Sequence, residues 1–267
     1  MKIVFWSPVH GQARQSSNML AIAFTLAMRK KYRILMTQTR FRMNNLEDAV
    51  VGRYGQEQQR ERFYQDMGLD TLTRCMKRSR LEQPDMENCC VQILTEPKLL
   101  LLPGSGARSY EVYYEMLNGK IVYLLSEAEK YFDYVLADIN PGADNISRQL
   151  LLAADIVVVN LSQNIGVLDS FFWHYPKELS GKKVFYLFGA YLSDSCLNLR
   201  NLRFRYGRIK RDNSGSVPLN VGFMDAVSLG KTVDYFETNL ESEYGDSNYE
   251  FMRTVTATSE RLIRLAA

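Results

Sequence analysis

Short apolar runs alternate with longer stretches of helical period along most of this chain. Residues 2–6 form an apolar run of strand length, and a polar, turn-rich segment follows at 7–17. Met19, Leu20, Ile22, Ala23, Leu26 and Ala27 then recur at helical spacing, closed by Lys30 and Lys31, cations that suit the negative end of a helix dipole. Residues 32–37, 91–94 and 98–104 predict three further strands, the last ended by Pro103-Gly104, a turn signal. A helix is predicted over 108–130, with Tyr110, Tyr113 and Tyr114 as packing residues. Residues 132–138 predict a buried strand, 145–154 a helix, and 155–161 and 182–188 two more strands. The end of the chain, 248–265, reads as an amphipathic helix with Phe251, Val255, Leu262 and Leu265 on one face, the spacing of a packed helix. Strands alternating with helices need crossover connections, which favour parallel neighbours. The fold class that follows is α/β, a mostly parallel sheet with helices on both faces.

Residues 44–90 break the rhythm. They are rich in Arg, Gln and Glu, with Leu46, Val50, Phe63, Met67, Leu69, Leu72 and Met76 at helical spacing. Two or three short helices are expected. A solvated helical layer over the sheet is the favoured reading, because charge runs are usually solvent faces; an insertion facing a partner is the alternative.

Composition narrows the class. A chain of 267 residues suits one α/β domain spanning 1–267, given usual domain sizes. Hydrophobic residues at 46% and charged residues at 24% are ordinary for a chain with a sizeable core. A net charge of +3 is too small to imply a nucleic-acid partner by itself. Cys75, Cys89, Cys90 and Cys196 make no C-x-x-C pair and read as reduced thiols. His10 and His174 are too few for a histidine-rich metal site. The first apolar run ends at Trp6, too short for a signal peptide, and no run approaches the ~20 apolar residues of a membrane span. A cytoplasmic protein is expected.

The chemistry concentrates where the first strand meets the first helix. In open α/β sheets such loops meet ligands at the carboxyl edge, and backbone N–H groups at a helix N-terminus favour an anion. A P-loop reads G-x-x-x-x-G-K-[ST]. Here Gly11 remains, no lysine lies between it and the helix, Arg14 is the nearest cation, and Ser16 and Ser17 supply hydroxyls.

The stretch Ser7-Pro8-Val9-His10-Gly11-Gln12-Ala13-Arg14-Gln15-Ser16-Ser17 resembles the deviant P-loop of the MinD/ParA family of ATPases, roughly Ser-Pro-Lys-Gly-Gly-x-Gly-Lys-Thr-Thr. Two registers are open. Without a gap, Arg14 stands at the second lysine; with a one-residue insertion, Gln15 does, and Ser16-Ser17 match the two threonines. Both family lysines are missing in either. Residues 132–142, with Asp138, Pro141 and Gly142, resemble the family's second switch. Residues 217–231, with Pro218, Asn220, Asp225, Ala226, Gly230 and Lys231, resemble the segment that runs beside adenine. Two departures accompany these matches. The second strand runs into Thr37-Gln38-Thr39-Arg40 where the family has an acid, and the strand at 182–188 leads into Gly189-Ala190-Tyr191 where the family has a base-reading asparagine. Within the family, the TadZ/CpaE branch, which localises pili, is similar in its drifted P-loop.

The resemblance implies a site for ATP formed by Gly11, Gln12, Ala13, Arg14, Gln15, Ser16, Ser17, Pro218 and Asn220. It also implies Mg²⁺ at Asp138 and Ser16, with Asp138 the catalytic candidate. Loss of one oxyanion-type donor typically costs about 3–4 kcal/mol of transition-state stabilisation, and here two lysines and an acid are absent together. Little or no hydrolysis is therefore expected. The implied function is a nucleotide-binding or pseudo-ATPase scaffold of bacterial type. It would form a homodimer and meet a protein partner in pilus, secretion or partition machinery. A Mg²⁺-dependent ATPase with an atypical loop is an alternative. The densest basic cluster, Arg200, Arg203, Arg205, Arg208, Lys210 and Arg211, leaves a DNA-binding module as another, since such a cluster can meet phosphates.

Overall fold

The computed structural model describes residues 1–41, 45–52, 66–76, 81–142 and 144–266. Its strands are β1 (Lys2–Trp6), β2 (Ile34–Gln38), β3 (Val91–Leu94), β4 (Leu99–Leu102), β5 (Tyr134–Asp138), β6 (Ile156–Leu161), β7 (Lys183–Tyr191) and β8 (Ser214–Pro218). They form one eight-stranded sheet in the order β3-β4-β2-β5-β1-β6-β7-β8. All neighbours are parallel except β3 and β4. The α/β class expected from the strand–helix rhythm is the architecture observed.

The helices, in chain order, are α1 (Gln15–Lys30), α2 (Asn45–Val50), α3 (Gly68–Met76), α4 (Gln83–Asn88), α5 (Tyr110–Leu117), α6 (Ile121–Ala128), α7 (Asn145–Ala153), α8 (Ile165–Trp173), α9 (Leu199–Arg205), α10 (Val221–Leu229), α11 (Thr232–Asn239) and α12 (Tyr249–Ala266). Successive strand side chains point to opposite faces, and the two cores follow that alternation. Ile3 and Phe5 of β1 join α1, α2 and α10–α12 on one face. Val4 and Trp6 join α3–α9 on the other. Burying both faces makes the central strands continuously apolar: Ile156, Val157, Val158 and Val159 of β6 are all fully buried.

Several boundaries differ from those the pattern predicts. The helix expected over 108–130 is two helices, α5 and α6, because Gly119 takes φ +73 between them. β7 runs on through Gly189, Ala190 and Tyr191 rather than stopping at 188. Within 197–211 only Leu199–Arg205 is helical. β8 begins Ser214-Gly215-Ser216, with little strand propensity. Tertiary packing makes it a strand: α12 crosses it so closely that a Cβ on Gly215 would lie 2.4 Å from Thr258 Cγ2. The Thr258 hydroxyl donates to the Ser216 carbonyl at 3.0 Å. In the 44–90 region, Leu46, Leu69 and Leu72 are buried against the sheet, while Phe63 lies outside the described residues.

Candidate functional site

β1 lies between β5 and β6, and the chain leaves β1 toward β2 on one side while β6 opens the other. This reversal of strand order is where open α/β sheets form a crevice at the strands' carboxyl ends. The 7–14 loop fills that edge. Trp6 Nε1 donates to the Gly142 carbonyl at 2.6 Å, and the Gly142 N–H donates to Ser7 O at 3.1 Å. The two stretches that resemble family motifs are thereby tied to each other.

Beneath the loop lies a buried polar network. Asn18 Nδ2 donates to the Ala13 carbonyl at 2.8 Å and to Asn160 Oδ1 at 2.9 Å. The Asn160 amide in turn reaches the Trp6 and Val158 carbonyls. The loop packs so closely on β7 that a Cβ on Gly189 would sit 2.4 Å from Ala13 O and 2.5 Å from Asn18 Nδ2. The glycine at this strand position therefore has a packing reason of its own.

Asp138, the last residue of β5, is fully buried. Its Oδ1 accepts from Gln15 Nε2 at 2.6 Å and from Arg40 Nη2 at 2.9 Å, and its Oδ2 accepts from the Ser16 hydroxyl at 2.6 Å. Gln15 Nε2 is also 2.7 Å from the carbonyl oxygens of Phe5 and Ile139. Helix α1 begins at Gln15, and Arg14 precedes it in the left-handed region at φ 53. Gln15 and Ser16 are thus the first-turn side chains that face the aspartate.

Arg40 is the residue the motif comparison missed. It follows β2, and only 8% of its surface is exposed. A cation two positions past a strand whose family counterpart carries an acid was the available signal. Nearby, Glu47 on α2 is buried; its Oε1 accepts from the Gly104 N–H at 2.7 Å and its other oxygen from Gln38 Nε2. Burial raises its pKa from 4.5 to about 7, against the lowering effect of the Gly104 hydrogen bond.

Gln15, Ser16 and Arg40 line a cavity of about 280 Å³ together with Gly11, Arg14 and Ser17 of the loop and with Asp48 and Ser228, whereas Asp138 and Glu47 do not reach it. Gly11, Gln12 and Arg14 are exposed, and Ala13 is buried. Pro218 and Asn220 stand elsewhere: Asn220 caps α10 through Phe223 N–H at 2.7 Å and accepts from the Tyr235 hydroxyl at 3.1 Å. Val227 and Ser228, further along α10, reach the cavity instead.

The donor set can be tested against Mg²⁺. Magnesium is bound through one or two carboxylates plus phosphate and water. Here the inward carboxylate already holds a guanidinium at 2.9 Å and accepts from a hydroxyl and an amide. A dication would have to share Asp138 with a fixed positive charge. No cluster of three acidic, histidine or cysteine side chains suited to a metal occurs among the described residues. The residues present do not fit the ion.

The basic cluster does not assemble into one free face. Arg203 donates to Ser214 Oγ, Arg205 pairs with Asp169 at 3.0 Å, and Arg208 lies over the Tyr175 ring at 4.0 Å. Arg200, Arg205, Arg208, Lys210 and Arg211 are exposed, and Arg203 is half-buried.

The fold is that of the MinD and ParA ATPases. A ParA family ATPase from Chlorobium tepidum superposes with a TM-score of 0.73 at 14% identity, covering 97% of this chain and 98% of the other. The cell division ATPase MinD of Pyrococcus furiosus gives 0.71 at 13%, covering 99% and 98%. The septum site-determining protein MinD of Pyrococcus horikoshii, complexed with Mg-ADP, gives 0.69 at 15%, covering 100% and 98%. No family model and no curated protein matches the chain by sequence. No helix among the described residues is long and apolar enough to cross a membrane.

Proposed function

We propose that this protein is a scaffold of MinD/ParA architecture that has given up ATP hydrolysis. The carrying observation is Asp138: the carboxylate expected to reach the metal is instead held by Gln15, Ser16 and Arg40. Phosphoryl transfer depends on positioning and charge stabilisation by lysine and metal. Neither family lysine is present in the loop, and the acid that holds the metal is committed to an arginine.

The scaffold works by presenting surfaces, as a homodimer or to a protein partner in a pilus, secretion or partition machine. The fold neighbours named for cell division and for ParA support that kind of role by analogy. The TadZ/CpaE branch, whose loop is also drifted, is a functional parallel for this reading. Nucleic-acid binding by the basic cluster is the second reading; five of its six residues are exposed, while Arg203, Arg205 and Arg208 also have partners within the chain.

The test is ATP turnover with Mg²⁺, followed by phosphate release. Release at the buffer rate is expected for both wild type and Asp138→Ala. Turnover that needs Mg²⁺ and collapses in that variant overturns the reading and restores the atypical ATPase.

A further inference from the structure

We propose that a second cavity, at the edge of the sheet opposite the 7–14 loop, binds a phosphomonoester through Arg208, Lys210 and the hydroxyl pair of Tyr175 and Tyr186. The inference goes beyond the scaffold reading, since this cavity and the loop cavity share no lining residue.

β6, β7 and β8 are parallel, so their amino-terminal ends share one edge, while the loop and Asp138 stand at the carboxyl edge. A cavity of about 560 Å³ opens at the amino edge, between the segment after α8, the start of β7 and the turn before β8. That size is ordinary for a small-molecule site. Arg208 there is exposed and yet fixed. Its Cζ lies 4.0 Å from the centre of the Tyr175 ring, a cation–π contact, and the Phe171 ring packs against Tyr175 at 5.5 Å. Asn213 pins the turn: its Nδ2 donates to the Arg208 carbonyl at 3.1 Å, and its Oδ1 accepts from the Lys210 N–H at 2.7 Å. A guanidinium stacked on a ring keeps its in-plane N–H edge for an acceptor.

The Tyr175 and Tyr186 hydroxyls, 3.3 Å apart, are bonded to each other. Two phenols carry two protons and one makes that bond, so the other is left to donate. Tyr186 is 2% exposed; burial and the Tyr175 hydrogen bond push its phenol up, so it stays a donor. Charge then selects the ligand class. Lys182, Lys183, Arg208 and Lys210 line the cavity against one carboxylate, Asp212. Lys182 Nζ donates to the carbonyls of Leu152 and, at 3.2 Å, Ala154, partners that leave its charge uncancelled. Such an excess suits a dianionic phosphoryl group, whose oxygens match an arginine fork and a phenol donor. Leu179, Val184 and Leu265 on the same wall suit an apolar organic body.

The full-length protein should be titrated calorimetrically with phenyl phosphate, inorganic phosphate and phenol. Phenyl phosphate is expected to bind with a Kd of about 1 mM or below, inorganic phosphate more weakly, and phenol not measurably. Arg208→Met should weaken phenyl phosphate by about tenfold or more, the scale of a lost hydrogen bond between charged groups. Tyr175→Phe keeps the ring under Arg208 and removes only the hydroxyl; a loss of about threefold is expected. Arg14→Met, in the loop cavity, should bind phenyl phosphate as wild type does. Arg208 and Arg14 are both exposed, so these variants fold, and a thermal melt of each checks it.

Absence of binding by both phosphates at about 10 mM would overturn the site. So would phenol binding as tightly as phenyl phosphate, which leaves the phosphoryl group no role. A loss in Arg14→Met with none in Arg208→Met would place the phosphate at the loop instead. Equal losses in Arg200→Met, Arg208→Met and Arg211→Met would overturn the pocket in favour of a diffuse basic face of the kind a nucleic acid meets. None of these outcomes touches the scaffold proposal, which only Mg²⁺-dependent turnover removes.

Discussion

Arg40 Nη2 lies 2.9 Å from Asp138 Oδ1, joining the end of β2 to the end of β5 inside the core. The arginine side chain is 9% exposed and the aspartate 0%. β2 and β5 are neighbours with Gln38 opposite Asp138, so a side chain two residues beyond Gln38 can fold back over the carboxylate. The pair balances the Asp138 carboxylate from within the protein.

Breaking this pair from one side should be expensive. Removing one partner of a buried ion pair typically costs about 3–5 kcal/mol, because a buried charge is left uncompensated. Arg40→Met is expected to lose that much in urea unfolding, and adding Asp138→Asn should recover most of it. A double mutant no more stable than the single one refutes the coupling.

Gln15→Lys tests whether the missing loop lysine alone disables catalysis. The amide holds the Phe5 and Ile139 carbonyls and Asp138 together, and Arg40 remains on the carboxylate. The variant should stay inactive toward ATP and lose about 1–3 kcal/mol from the unpaired carbonyls. Turnover above baseline would show that Arg40 does not block the site.

Glu47 predicts a pH dependence. Its carboxyl is raised from 4.5 to about 7 by burial, so between those values the native state keeps a proton that the unfolded state has lost. The stability it contributes is full below the unfolded value and falls as pH rises through about 7, by roughly 3 kcal/mol in all. Glu47→Gln should flatten this slope, the Gln38 Oε1 now having an amide to accept from. Urea midpoints taken across that range decide it; parallel profiles for the two proteins refute it.

Gly189→Ala should disturb the loop through Ala13, which lines the cavity. Its Cβ would meet Ala13 O and the Asn18 side chain, and such overpacking costs about 1–3 kcal/mol. Amide exchange across residues 8–14 should speed up relative to wild type. Unchanged exchange with unchanged stability would mean the contact relaxes freely.

Much of this architecture was legible along the chain. The alternation of apolar runs with helical periods in residues 2–27 and 132–161 carried the parallel sheet, because a strand buried on both faces must be continuously apolar and a crossover helix must bury one stripe. Asp138 could be placed at a strand end from the apolar run before it, and beside the loop from the resemblance of 132–142 to the family's second switch. Gly119 splitting one predicted helix in two, and β8 formed from Ser214-Gly215-Ser216, were less visible, since each depends on what packs around it. The site's chemistry was decided in three dimensions. That Gln15 rather than Arg14 faces the aspartate follows from where α1 starts, and that Arg40 meets Asp138 follows from β2 lying beside β5. Both are contacts between residues roughly a hundred positions apart in sequence, and local pattern holds no record of such pairings: periodicity reports which face a residue occupies, while the neighbour it meets there is set by strand order.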